Sequence, residues 1–228
     1  MEQVNYFVLL DDVEFSRQSW QQRNHIKTPK GSVWLTVPVY RKGRSKQLIN
    51  EVVINPQTNW ERKHYKTLKQ HYGSAEYWCD NETWLAATYD RTWNKLCTLN
   101  RAFIEKIIAI LDVNTEIHLA SQMDISGGRV DRLACICRQL GADEYLSPMG
   151  SFEYIMANNC FLDVGVTLLF QHYAHPIYQQ LYGDFYSHLS VVDLILNRGP
   201  HSLEIIQSGQ RSPYTVDEAL RQREVDRK

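Results

Sequence analysis

The feature that most constrains this 228-residue chain lies between residues 116 and 171, where short apolar runs alternate with helix-like segments. Residues 116–120 (EIHLA) read as a strand. Ser126–Gly127–Gly128 opens a helix with Val130, Leu133, Ala134, Cys137 and Leu140 on one face, and Gly141 stops it. Residues 144–147 (EYLS) read as the next strand, Ser151 as the cap of another helix, and 165–171 (GVTLLFQ) as a further strand. This order predicts right-handed βαβ crossovers. The expected class is α/β, a mostly parallel sheet with flanking helices, plus a helical segment around 58–112.

The first half fits that frame. Residues 4–10 (VNYFVLL) form an apolar run closed by Asp11 and Asp12, which suits a buried parallel strand. A polar stretch, FSRQSWQQRNHIKTPKG, follows and ends in a Pro29–Lys30–Gly31 turn. Strands are expected at 32–39 (SVWLTVPV) and at 49–54 (INEVVI), separated by the basic loop RKGRSK. Asn59 as N-cap and Gly73 beyond the end predict a helix over 60–72, with Trp60, His64, Leu68 and Tyr72 as its inward stripe. From about 82 to 111 the apolar spacing predicts one long helix or two joined by a kink. Ser190 with Asp193, and Thr215 with Glu218, resemble capping boxes before two later helices. The chain reads as one domain over residues 1–205 and a charged tail over 206–228.

Composition narrows the function classes. Hydrophobic residues make up 43% and charged residues 22%, close to the globular average, which excludes a disordered chain. No apolar run approaches the roughly 18–20 residues that span a bilayer, and MEQVNYFVLLDDV lacks the basic start of a signal peptide. The net charge of −1 carries no basic excess, so neither a nucleic-acid nor a membrane partner is expected. Cysteines at 79, 97, 135, 137 and 160 form no CxxC pair, which fits reduced structural thiols and a cytoplasmic location.

Five constellations could carry chemistry. At the end of the first strand, Asp11 and Asp12 precede Arg23, Asn24, His25 and Lys27, donors able to hold a sugar or phosphate group where open α/β sheets bind ligands. The plainer reading is a surface pair tying down a loop. The helix 60–72 carries Arg62, Lys63, Lys66 and Lys69, which could meet phosphates or form a solvated face. His172 and His175 have a metal-like spacing, but Pro176 breaks helical geometry there. No metal is expected, and His175 is read as a general base or a structural histidine. The Gly127–Gly128 pair could cradle an anion at a helix start. Ser147 ends a strand without the G-x-S-x-G context of a hydrolase.

Several segments carry a resemblance. These are LLDDVEFSRQSWQQRNHIKTPKGSVWLTVPV with INEVVI, W-x-x-K-H-Y-K-T-L from Trp60 to Leu68, R-L-x-x-I-C-x-x-L-G-A-x-x-Y-L-S from Arg132 to Ser147, and FQHYAHPIYQQLYGDFYSHLSVVDLILNRG. Together, in this order, they resemble the WbqC-like protein family. The resemblance implies a bacterial role in O-antigen, lipopolysaccharide or other sugar modification. Family members usually open with a further strand and a Gln-Pro…Pro-Trp…Gly-Tyr segment. This chain starts after that point, so a shortened member or a displaced start is expected.

The expected function is group transfer, by a transferase acting on a small activated substrate such as a nucleotide sugar or an acyl or aminoacyl donor, with no cofactor. The alternative is a non-catalytic scaffold in a biosynthetic complex, and a homodimer is left open. Asp12 or His175 would move the proton and Ser147 and Asn24 would orient the substrate. Arg23, Lys27 and Lys63 would hold phosphate, with His64 and Tyr178 lining the same cleft.

Overall fold

The computed structural model describes residues 1–44, 46–157 and 160–226. Ser45 of the basic loop and the last two residues of the charged tail lie outside the described residues. In chain order the elements begin with β1 (Tyr6–Leu9), β2 (Arg23–Thr28) and β3 (Gly31–Thr36), then α1 (Trp60–Tyr72), α2 (Trp78–Asp90) and α3 (Leu96–Leu111). Next come β4 (Glu116–Leu119), α4 (Arg129–Leu140), β5 (Glu144–Ser147), α5 (Phe152–Met156), α6 (Cys160–Asp163) and β6 (Thr167–Phe170). The chain closes with α7 (Val191–Arg198), α8 (Ser202–Ser208) and α9 (Val216–Asp226). It divides into two compact units, Met1–Leu10 with Asn114–Ala174 and Gly209–Lys228, and Asp11–Val113 with His175–Ser208.

The first unit is the α/β part. β1 pairs in parallel with β4, Tyr6 opposite Glu116, and β5 pairs in parallel with β6, Glu144 opposite Thr167. Helices connect them, as the alternating pattern requires, because a parallel pair needs a crossover rather than a hairpin. Helix α4 buries Val130, Leu133, Ala134, Ile136 and Cys137 against Ile155, Phe161 and Val166, and Gly141 ends it at φ 63°. Ser151 precedes α5 but makes no side-chain cap; its hydroxyl bonds the Pro148 carbonyl at 2.6 Å and the Ser147 hydroxyl. The tail forms α9, whose buried Ala219 packs with Phe152 and Phe170. Thr215 and Glu218 complete its capping box, the Thr215 N–H donating to the Glu218 carboxylate at 2.8 Å.

The second unit holds the helical segment and an antiparallel hairpin, β2 with β3, in register from Arg23–Thr36 to Thr28–Gly31. Strand β2 corrects the reading of residues 15–31 as a polar loop. A polar sequence becomes a buried strand here because Ile26, Lys27 and Thr28 find partners inside the unit. The strand expected at 49–54 is also corrected. Residues Ile49–Glu51 form a 3₁₀ turn, in which the Leu48 N–H donates to the Glu51 carboxylate at 2.9 Å. Val53 and Ile54 make only single bridges to Lys95 and Val39, yet Val52 and Ile54 are buried, which explains their strand-like pattern.

Trp60, His64, Leu68 and Tyr72 are all buried along α1. Asn59 starts that helix from a left-handed conformation at φ 49° without a side-chain cap, contrary to the reading from its residue type. The helical stretch after it is two helices, parted at 91–95, where Trp93 turns into the core and donates to the Thr88 carbonyl at 2.8 Å. Gly199 ends α7 at φ 48°, ψ −121°, a region for glycine, and a Cβ there would lie 2.3 Å from a Tyr77 ring carbon. Gly199→Ala is therefore expected to lower stability by about 2 kcal/mol. Urea unfolding checks this, and a change within error would show that the turn relaxes freely.

Candidate functional site

A cavity of about 540 Å³ lies within the second unit, walled by β2, β3, α1, α2, α3 and the start of α7. That volume is in the range of small-molecule sites, about 300–1,000 Å³. Aliphatic and aromatic side chains, among them Leu68, Leu85, Leu99, Phe103 and Ile107, supply most of the wall. Leu68 on α1 and Leu99, Phe103 and Ile107 on α3 belong to the apolar stripes of amphipathic helices, and Leu85 on α2 is fully buried beside them. Polar lining residues come mainly from Gln21 and Gln22 just before β2 and from Arg23 and Asn24 at its start, together with Asn100, whose amide donates to the Gln21 carbonyl at 2.8 Å.

Aromatic rings gather beside Arg23. Trp20 is 62% exposed, and its ring centroid lies 5.2 Å from that of Trp34. The Arg23 guanidinium sits 4.0 Å from the Trp34 ring centroid, a cation–π contact. Arg23 Nε is buried and has no hydrogen-bond partner among the described residues, and the same is true of Trp60 Nε1 on the cavity wall. Two orphaned donors beside one apolar space are costly unless a ligand or water meets them.

His64 lines the same wall. Its Nε2 lies 3.1 Å from the Thr36 carbonyl, which accepts, so Nε2 carries the proton and Nδ1 is left as the acceptor. Burial drives its pKa down from 6.5 to about 4, against the smaller opposing effect of the Thr36 bond. At neutral pH it is an uncharged imidazole, suited to hydrogen bonding rather than to acid catalysis. Tyr89, edge-on to both Trp60 and His64, is kept protonated by burial.

A buried polar network occupies another part of this unit. Asp193 on α7 is fully buried and accepts from the Tyr72 hydroxyl at 2.7 Å, the Tyr178 hydroxyl at 2.9 Å and the Gln180 amide at 3.0 Å. Tyr72 in turn accepts from the Lys27 backbone N–H at 2.8 Å. The Lys27 ammonium donates to the Asp184 carbonyl and lies 5.4 Å from the Tyr186 ring centroid. Burial raises the Asp193 pKa above the ordinary carboxylate value, while its three donors and the Lys27 charge pull the other way.

The residues singled out from sequence fall into distinct places. Arg23, Asn24 and His64 share the cavity. Lys27 and Tyr178 meet at Asp193. Lys63 is on the exposed side of α1, and Asp12 is half-buried in the second unit. His175 is exposed; its Nδ1 donates to the Pro176 carbonyl at 2.9 Å and its Nε2 accepts the His188 N–H at 3.3 Å. Ser147 belongs to the first unit, fully buried with its hydroxyl on Ser151. His172 is also in the first unit, stacked on Tyr214. At the Gly127–Gly128 helix start, the Asp131 carboxylate comes within 3.0 Å of where a Cβ on Gly128 would stand. The protein's own carboxylate thus occupies that place.

Among the described residues, no group of three His, Cys, Asp or Glu side chains could hold a metal, and all five cysteines are free thiols. No described helix is long and apolar enough to cross a membrane. Sequence reading missed Trp60 and Tyr89 as cavity residues and Asp193 and Tyr72 as a buried polar pair. One signal was present: an aspartate inside the apolar run VVDLILN, which calls for a buried partner.

A model of the WbqC-like protein family matches residues 1–205. The chain is also similar to "Uncharacterized protein Rv1507c" of Mycobacterium tuberculosis, 31% identical over 206 residues, covering 90% of this chain and 88% of that protein. No solved structure matches.

Proposed function

The chain belongs to the WbqC-like protein family, and we propose that it is a group-transfer enzyme of bacterial surface-polysaccharide or amino-sugar modification, acting on a small activated substrate. The observation that carries this reading is the cavity of the second unit. Residues from separate parts of the chain, Arg23 and Asn24 on β2 and His64 on α1, line one space of ligand size.

Arg23, the only charged residue on that lining among the described residues, would hold the anionic portion of an activated donor, and Asn24 would orient the acceptor. Neutral His64 would accept a hydrogen bond through Nδ1. In the transfer, a hydroxyl or amine of the acceptor sugar forms a bond to the transferred group. The bond to the leaving group breaks with its electron pair, and the acceptor's proton passes to a base. Neither Asp12 nor His175 is among the residues lining the cavity, so the departing anion itself would take up that proton.

A thermal-shift screen against nucleotide sugars and acyl or aminoacyl donors tests the reading. A bound ligand at a hundred times its dissociation constant should add about 2.7 kcal/mol of stability. Arg23→Ala should abolish that gain for anionic ligands. No stabilisation by any member of the panel would overturn the enzyme reading in favour of a non-catalytic scaffold.

A further inference from the structure

We infer that the cavity of the second unit is a binding site for an acyl chain, with its carbonyl or carboxylate end near the Arg23 edge and its hydrocarbon against α2 and α3. Among the described residues, the cavity lining contains no acidic side chain and a single charged one, Arg23. Its remaining surface is dominated by Leu85, Leu99, Phe103 and Ile107, which offer dispersion contacts and no hydrogen bonds. Against that stretch of wall the polar groups of a sugar ring or a nucleobase would go unmet, at a cost of about 1–3 kcal/mol each. A hydrocarbon chain loses nothing there.

Chemistry at the edge complements the other end of such a molecule. Arg23 Nε and Trp60 Nε1 are buried donors without partners among the described residues. Both belong to residues that line the cavity. An acyl group presents a carbonyl oxygen, or two oxygens and a negative charge as a carboxylate, which suits two unmatched donors and one cation. Trp20 and Trp34 flank the Arg23 side and give an amphipathic rim on which a polar head can rest.

This inference deepens the group-transfer reading by naming the donor as an acyl compound, and it rests on that reading only for the transfer itself. Chain binding is measured independently. Calorimetric titration of the full chain, below micelle-forming concentrations, would use alkanoates from octanoate to palmitate and the acyl-coenzyme A thioesters of the same lengths. Affinity should rise about fourfold per added methylene and then level off when the cavity is full. The carboxylate and thioester arms distinguish a free fatty acid from an activated donor.

Two variants locate the chain. Ile107→Trp, which fills the cavity from α3, should shorten the length at which affinity levels off and weaken palmitate binding at least tenfold. Trp60→Phe keeps an aromatic ring but removes the Nε1 donor, so it should weaken all lengths by a similar factor, about 2–10-fold, without changing the gain per methylene. If Ile107→Trp does not fold, the wild-type plateau and a palmitate-induced shift of the Trp60 indole resonance still decide the matter. Absence of saturable binding in both series, or affinity independent of chain length, overturns the inference. Binding of nucleotide sugars without chain binding would leave group transfer standing and remove the acyl class. Chain binding with no response to any other substrate would do the reverse.

Discussion

Asp193→Ala is expected to destabilise the protein by about 3–5 kcal/mol, the largest single-residue effect in the second unit. The substitution removes the acceptor for the Tyr72 hydroxyl, the Tyr178 hydroxyl and the Gln180 amide. It also removes the negative charge that opposes Lys27, a residue 1% exposed. Breaking one side of a buried charged network costs more than its intact contribution, because the remaining charge stays buried and uncompensated. Lys27→Met in the Asp193→Ala background should therefore recover part of the loss, since it removes the stranded ammonium while retaining its hydrocarbon volume. Urea unfolding of the two single variants and the double variant measures the coupling. A loss under about 1 kcal/mol for Asp193→Ala, or strictly additive effects, would mean that water or backbone movement satisfies the network without the carboxylate.

The second large effect is a dependence of stability on pH set by His64. Its pKa falls from 6.5 to about 4 on folding, so between those values the unfolded chain binds the extra proton and the folded chain does not. Stability gained from the neutral imidazole is full above pH 6.5. It is lost as pH falls, reaching a deficit of about 3 kcal/mol near pH 4. Asp193 acts with the opposite sign just above the ordinary carboxylate value, because its raised pKa favours the folded state while protonated. The His64 contribution is therefore read as a difference. His64→Gln keeps a donor for the Thr36 carbonyl and cannot titrate, so its unfolding free energy should fall much less than that of the wild type from pH 6.5 to 4. Parallel pH profiles for the two proteins would mean that His64 is not the group responsible.

Both effects depend on chemistry that local sequence pattern carries only in part. Trp60, His64, Leu68 and Tyr72 could be read as an inward stripe because helix periodicity is set by residues within two turns of one another. The β4–α4–β5 order, the stop at Gly141 and the start of α9 at Thr215 were legible for the same reason. Each signal is local in the chain. The strand at Arg23–Thr28 was not legible, since its alternation is masked by the polar residues Arg23, Asn24, His25 and Lys27, and the burial of Lys27 depends on distant partners. At 49–54 the apolar side chains were correctly inward in character, but the turn at Ile49–Glu51 took the place of a ladder. Among candidate functional residues, Arg23, Asn24 and His64 shared a cavity, whereas Lys63 was exposed and Ser147 lay buried in the first unit.

The sequence by itself determined the α/β class, the helical segment and the family to which the chain belongs, because apolar periodicity and ordered motifs need no knowledge of what packs on what. Tertiary structure alone decided which polar groups are buried together and where an apolar space remains open. Tyr72 and Asp193, 121 residues apart in the chain, become hydrogen-bond partners only when α1 and α7 enclose them. The cavity likewise exists because β2, β3, α1, α2, α3 and the start of α7 leave a gap that their own side chains do not fill. Burial of polar groups and the volume left between elements depend on contacts made at long range, and no local pattern encodes them.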